Sequence, residues 1–279
     1  MNEHTSHPHN HCLSCNATLH GAFCAKCGEK VYHPADKSLK LLIREAITFM
    51  TNLDGKVITT VKTIYLRPGQ LALDYCRGVR KKYYKPLPFF LAIVVVYLLF
   101  PLATGMNMEM RYYRSSPLIG PSIGVQIDKR LAAEGITETA LAEQFNQRSS
   151  TTSKFLLLLL IPLSLPLLHL LYFYKQRYIF DNFVLLTEIN TFFLLTIFLL
   201  LPALLFPLNV FFSLQVNDTL YERFTVALFG GYCAVVFHRV FAEKWWLSLL
   251  KGGVFSALFL LMIVVVYRYI VFEVTFALL

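Results

Sequence analysis

Four cysteines near the N-terminus are the residues whose type and spacing most directly predict chemistry. Cys12, Cys15, Cys24 and Cys27 form the pattern C-x2-C-x8-C-x2-C. Two such pairs can each present two thiolates to one ion, which is the ligand set of a closed tetrahedral zinc site. We therefore predict that residues 1–35 form a zinc-ribbon-like head that holds one structural Zn²⁺. Redox-active or free thiols are the alternative.

The composition indicates what carries this head. The chain has 279 residues, of which 56% are hydrophobic and 15% are charged, whereas a soluble domain usually has about 25% charged residues. This deficit predicts a membrane protein. Together with the cysteine pattern, it predicts an all-α polytopic membrane protein with a small N-terminal zinc ribbon. Apolar segments near the roughly 20 residues that a bilayer requires predict about five transmembrane helices in the domain 86–279, at 86–104, 155–174, 183–206, 224–241 and 247–267.

Residues 36–85 connect the head to the first predicted span. Apolar residues recur at helical spacing over 37–66, which predicts an amphipathic interfacial helix that lies along the membrane surface or packs under the bundle. Pro68-Gly69 ends this pattern. A basic collar follows and is predicted to anchor the protein to anionic lipid headgroups through Arg77, Arg80, Lys81, Lys82 and Lys85. We do not expect nucleic acid here, because lipid phosphates beside the collar would repel it.

Basic residues also predict the orientation. The collar, the connection after the second span and the join of the last two spans share one side if the N-terminus is cytoplasmic. The C-terminus would then be extracytoplasmic, as would the connection 105–153. A cytoplasmic head agrees with the reduced thiols that a zinc site needs. The connection 105–153 is too short to bury much of a core alone, so we expect a small cap over the bundle.

The order of these motifs resembles an uncharacterised family of bacterial membrane proteins, which is catalogued only as a domain of unknown function. The resemblance rests on the CxxC…CxxCG head and on a stretch Tyr-x-x-Gly-x-Arg-x-x-Tyr-x-x-Pro before the first span. It also rests on the Pro-Gly that ends the preceding helix, at Pro68 and Gly69, and the stretch itself is carried by Tyr75, Gly78, Arg80, Tyr83 and Pro86. The resemblance implies a multi-pass protein of the bacterial inner membrane, and it implies no activity.

Polar residues inside the predicted spans form the second candidate site. His169, Glu188, Asn190 and His238 fall at a similar depth on three spans, near the predicted cytoplasmic side. Ionisable groups in apolar spans are costly and usually face a partner or water. If they converge, they could form a proton relay, a metal site or a substrate site. The alternative is that Glu188 pairs with a loop cation such as Arg177 or Arg239 and serves packing.

Two functions follow from these features. The first is a binding or scaffold protein whose cytoplasmic zinc head recruits a protein partner. The second is a transporter or channel for a small solute, a proton or a metal ion that uses the polar residues of the bundle. The sequence contains no G-x-x-x-x-G-K-[ST], G-x-G-x-x-G, H-E-x-x-H or G-x-S-x-G motif, which favours a function without catalysis. An intramembrane enzyme that acts on lipid stays as a third alternative. The oligomeric state stays open, with a homo-oligomer among the options.

The zinc prediction can be tested by a Cys27→Ala substitution. Three thiolates would remain, and the head would lose both its metal and its fold because a module this small depends on the ion for stability. Metal content per chain and resistance of residues 1–35 to protease should both fall. Unchanged values for both would contradict the prediction.

Overall fold

The computed structural model describes residues 11, 15, 17, 18, 25, 26, 55–100, 108–175, 178–205 and 218–279. The chain divides into two compact units, Met1–Gly55 and Lys56–Leu279. In the first unit an isolated antiparallel bridge pairs His11 with Thr18. Three of the four cysteines lie outside the described residues, so the zinc ribbon stays a prediction.

The described residues from 55 onward fold as helices joined by short turns, which confirms the all-α class. The helices are α1 (55–66), α2 (Gln70–Cys76), α3 (Pro86–Leu99), α4 (Met110–Arg114), α5 (Gly120–Glu134), α6 (Glu138–Lys175), α7 (Ile179–Leu205), α8 (Asp218–Phe241) and α9 (Trp245–Ala277). Helices α7 and α9 contain π-helical segments at Leu194–Leu200 and Ile263–Tyr267.

Four of the described helices are long and apolar enough to cross a membrane: α6, α7, α8 from Tyr221 onward, and α9. Many of their exposed side chains are also apolar, including Leu170, Leu249, Leu250 and Leu261. Exposed apolar faces of this kind suit the hydrocarbon core of a membrane, which excludes water. By length and composition, these four helices fit a multi-pass membrane protein.

The sequence predicted five spans, and the first of them, 86–104, is not among these four long helices. Its described helix, α3, has 14 residues and is about 21 Å long, against a hydrocarbon core of about 30 Å; residues 101–107 lie outside the described part. The chain nevertheless changes ends here. Pro86 lies beside Phe183 near the start of α7, whereas Met110 shares a cluster with Phe272 near the end of α9.

The bundle has two ends, which we call basic and distal. The basic end is where α6 and α8 finish and α7 and α9 begin. The distal end carries a second apolar core, made by α4, α5, the first turns of α6 and the last turns of α9, with Tyr113, Phe145 and Phe272 at its centre. The predicted cap over 105–153 is thus helical in its described part. It closes on Phe272 of α9, as expected of a segment too short for its own core.

Helices α1 and α2 belong to the core of the bundle. Ile64 and Leu71 are fully buried in the same apolar cluster as α3 and α6 to α9, and Thr60 is buried beside them. The sequence left two placements open for the amphipathic helix, and residues 55–66 agree with the second, because one face packs against the bundle while Ile58 and Leu66 stay exposed. The described part of segment 36–85 shares one core with 86–279.

Helices α8 and α9 form a tight antiparallel hairpin. A Cβ atom added to Gly252 would lie 2.6 Å from the backbone nitrogen of Ala234 and 2.8 Å from its Cα. Both of these atoms belong to the main chain, so they cannot move aside as a flexible side chain would. Close helix approach through a glycine is a common packing mode in membranes.

This contact predicts that Gly252→Ala destabilises the bundle by about 1–3 kcal/mol, the usual cost of overpacking. Gly253→Ala is the matched control, because a Cβ there meets nothing within 4 Å. Thermal unfolding of both variants in detergent checks the prediction. Equal melting temperatures would show that the hairpin does not depend on this approach.

Candidate functional site

The turn between α1 and α2 buries Gly69 against the bundle and leaves Arg67 exposed, and it requires a glycine. Gly69 has φ +80° and forms the N-cap of α2, a conformation that residues with a Cβ rarely adopt. A Cβ there would also come within 2.8 Å of Cγ2 of Val240 and 3.3 Å of the Val236 carbonyl oxygen. The turn therefore packs directly on α8, near the basic end.

A glutamate from α7 caps this turn. The backbone N–H of Gly69 donates to Oε1 of Glu188 over 2.8 Å, and the N–H of Ala72 donates to Oε2 over 2.8 Å. Glu188 is 0% exposed. The first N–H groups of any helix lack partners within it, and a carboxylate at this end is favoured by the helix dipole. Both oxygens of Glu188 thus serve the protein's own backbone.

An arginine from α8 holds the same turn from its carbonyl side. Nη1 of Arg239 donates to the carbonyl oxygen of Pro68 over 2.6 Å, and its charge interacts with the Glu188 carboxylate. The Tyr232 hydroxyl lies near that carboxylate without a hydrogen bond of ordinary geometry. We call Pro68, Gly69, Ala72, Glu188 and Arg239 the Pro-Gly clasp. It ties α2 to both α7 and α8.

The other polar residues predicted for the bundle do not join Glu188. Asn190 is buried and donates to the Ser164 hydroxyl over 3.3 Å and to the Leu186 carbonyl over 2.8 Å, which links α7 to α6. His169 is exposed on α6. Among the described residues, no three His, Cys, Asp or Glu side chains are grouped so that they could hold a metal.

His238 lies at the basic end and serves the turn between α8 and α9. Its side chain is exposed, its Nδ1 lies 2.8 Å from the Glu243 carbonyl oxygen, and its ring packs edge-on against Trp245 at 5.0 Å. The predicted convergence of His169, Glu188 and His238 is therefore not formed. The helical faces explain the difference, because His169 points away from the core that buries Glu188.

The alternative offered by the sequence, Glu188 beside Arg239, agrees with the structure in part. The two charges are near each other, and each bonds a different backbone group of the same turn. The sequence analysis missed the backbone partners. The signal that could have found them is Pro68-Gly69 itself, because a turn that packs inside a membrane bundle needs acceptors and donors from elsewhere.

A second ionic cluster closes the basic end. Nζ of Lys251 donates to both carboxylate oxygens of Glu243, over 2.9 and 3.0 Å, and the Tyr174 hydroxyl donates to the same group. Burial opposes ionisation of Glu243. The hydrogen bonds from Tyr174 and Lys251 and the charges of Lys251 and Lys175 outweigh it, so the pKa of Glu243 lies below its usual value. The sequence analysis did not single out this glutamate.

The basic collar is held in place by one aspartate. The Tyr83 hydroxyl donates to Oδ2 of Asp74 over 2.6 Å, and Nε2 of Gln70 donates to Oδ1 over 2.7 Å. Burial opposes ionisation of Asp74, but these bonds and the charges of Lys82 and Arg77 lower its pKa overall. The cations predicted as the lipid-surface anchor are all exposed: Arg77, Arg80, Lys81, Lys82 and Lys85.

The predicted zinc ligands are described only in part. Cys12, Cys24 and Cys27 lie outside the described residues, and Cys15 lies in a turn with its side chain partly exposed. An antiparallel bridge pairs His11 with Thr18, two residues that flank the first cysteine pair in the sequence. The metal site itself stays a prediction.

Comparison with known proteins finds one family. The family described as "Protein of unknown function (DUF3667)" matches residues 54–98. No curated protein and no solved structure matches the chain. The matched residues run from the start of α1 through the Pro-Gly turn and the collar into α3, so they include three residues of the clasp. Glu188 and Arg239 lie outside the match.

The clasp predicts that Glu188→Gln destabilises the bundle by about 1.5–3 kcal/mol, the usual value of hydrogen bonds to a charged group. An amide keeps one acceptor oxygen, so either the Gly69 or the Ala72 N–H would face an NH₂ group. Glu222→Gln is the matched control, since Glu222 is exposed near the start of α8. Thermal unfolding at neutral pH checks this, and a Glu188→Gln variant as stable as the control would contradict it.

Proposed function

We propose that this protein is a membrane-embedded binding scaffold. The observation that carries the proposal is the use of Glu188, whose two oxygens both accept hydrogen bonds from the backbone of the turn after α1. Both oxygens of this buried carboxylate are engaged by the protein's own backbone, which favours a structural role of Glu188 over the binding of a solute. The bundle then serves to hold the segment that the family match covers, with its collar exposed.

In this proposal the N-terminal head is the recruiting part. An antiparallel bridge pairs His11 with Thr18, which flank the first cysteine pair in the sequence, and this pairing supports a metal knuckle there. Cys12, Cys15, Cys24 and Cys27 would bind one structural Zn²⁺, and the ordered head would bind a protein partner. A closed four-thiolate site stabilises a fold and keeps no open position for chemistry.

The proposal places the head in the cytoplasm of a bacterium, beneath the inner membrane. Lys175, Arg239 and Lys251 all lie at the basic end, and Lys85 of the collar lines a cavity with Phe180 and Phe183 of α7 at that same end. Short segments rich in Lys and Arg stay on the cytoplasmic side. This concentration of cations at one end supports the predicted orientation.

The test compares the full chain with a variant in which Cys12, Cys15, Cys24 and Cys27 are all replaced by Ser. Both are crosslinked in native membranes, purified and analysed by quantitative mass spectrometry. We expect at least one crosslinked protein to be lost from the variant, while thermal unfolding of the bundle is unchanged. Identical crosslinked partners in both preparations would overturn the recruiting role of the head.

The transport alternative is separated by reconstitution into liposomes that contain a pH-sensitive or a zinc-sensitive dye. The scaffold proposal expects the full chain to give the same flux of protons and Zn²⁺ as empty liposomes. Flux above that level that is abolished by Glu188→Gln, but kept by Glu222→Gln, would favour a transporter.

A further inference from the structure

A narrow apolar cavity of about 170 Å³ opens at the basic end, between α2, the start of α3 and the start of α7. Leu87, Phe180, Phe183 and Val184 supply apolar walls, and Tyr75 and Lys85 also line it. We call this space the slot. Its size suits part of one extended apolar chain better than a compact ligand, for which pockets are usually larger, roughly 300–1,000 Å³.

Two cations of the collar lie at the slot. Lys85 is part of its lining and is exposed. The guanidinium of Arg80, also exposed, lies 5.1 Å from the centre of the Tyr75 ring, and that ring forms another part of the lining. An apolar space with cations beside it is complementary to a molecule that joins an apolar chain to an anion.

The slot also lies where the membrane surface is expected. Tyr178 and Phe180 are exposed at the start of α7, and Trp245 and Trp246 are exposed at the start of α9. Aromatic side chains of this kind concentrate at the level of lipid headgroups. Lys85 precedes α3 at this level, while Val184 lies more than one turn inside α7.

We propose that the slot binds one anionic phospholipid, with part of an acyl chain against Leu87, Phe183 and Val184 and the headgroup phosphate beside Lys85 and Arg80. This is more specific than a basic surface that attracts anionic membranes in general. A general surface would use all five cations of the collar alike, whereas the slot singles out two of them. It also gives Tyr75, Arg80 and Pro86 of the Tyr-x-x-Gly-x-Arg-x-x-Tyr-x-x-Pro stretch a common role at the slot.

Native mass spectrometry of the full chain tests the proposal, with phosphatidylglycerol or phosphatidylcholine supplied in mixed micelles. We expect the unaltered chain to retain one phosphatidylglycerol in preference to phosphatidylcholine. Lys85→Gln should weaken this retention about five-fold, the effect of removing one cation from an anionic surface. Lys81→Gln is the matched control, because Lys81 is an exposed collar cation outside the lining.

A second variant tests the apolar part of the slot. Leu87→Trp should fill it and displace the lipid, with thermal unfolding used to show that the bundle is intact. Equal losses from Lys85→Gln and Lys81→Gln would mean diffuse attraction by the collar and would overturn the site. Equal retention of the two lipids, or unchanged retention by a folded Leu87→Trp variant, would overturn it as well.

Discussion

The rest of this structure depends on one constraint: the buried polar groups of a backbone turn packed against an apolar bundle must find their hydrogen bonds within the protein. Water cannot supply them, and each unmet polar group in such surroundings costs several kcal/mol. The turn at Pro68-Gly69 meets the constraint with two side chains from neighbouring helices. Glu188 of α7 accepts from two N–H groups, and Arg239 of α8 donates to one carbonyl oxygen.

The clasp therefore fixes more than a turn. Helix α2 is only seven residues long and has little intrinsic stability, because short helices depend on tertiary contacts. Its position sets that of the collar through Asp74, and the collar leads directly into α3. The opposite charges of Glu188 and Arg239 also lower the cost of burying either one. Glu188 of α7 and Arg239 of α8 thus position the chain from α1 to the first apolar helix through their bonds to the turn.

Composition and apolar length predicted the class and the approximate place of α6 to α9, because a bilayer imposes both on any chain that crosses it. They could not predict the partner of Glu188, since backbone atoms carry no signature in the sequence. Composition and apolar length also could not show which face of each apolar helix points into the bundle. Helices that are apolar on all sides lack the periodicity that marks an inner surface, so the side on which His169 and His238 lie could not be predicted.

The same limit explains why the sequence could not distinguish the packing of Gly252 from that of Gly253. The two are adjacent in sequence, and only the contact with Ala234 distinguishes them. The slot beside Lys85 could not be predicted from the sequence either, because its walls come from segments far apart in the chain. The collar itself was predicted as a group of charges, whereas its arrangement around Tyr75 and Asp74 follows only from the folded structure.

Helix α9 has a consequence for the order in which the protein can be assembled. The distal core contains residues from α4, α5 and α6, yet Phe272 of α9 fills its centre. During translation, α9 is synthesised well after α4, α5 and α6. The earlier helices must therefore wait with an open apolar surface until α9 has been synthesised and has crossed the bilayer, which makes closure of the distal core a late step in biogenesis.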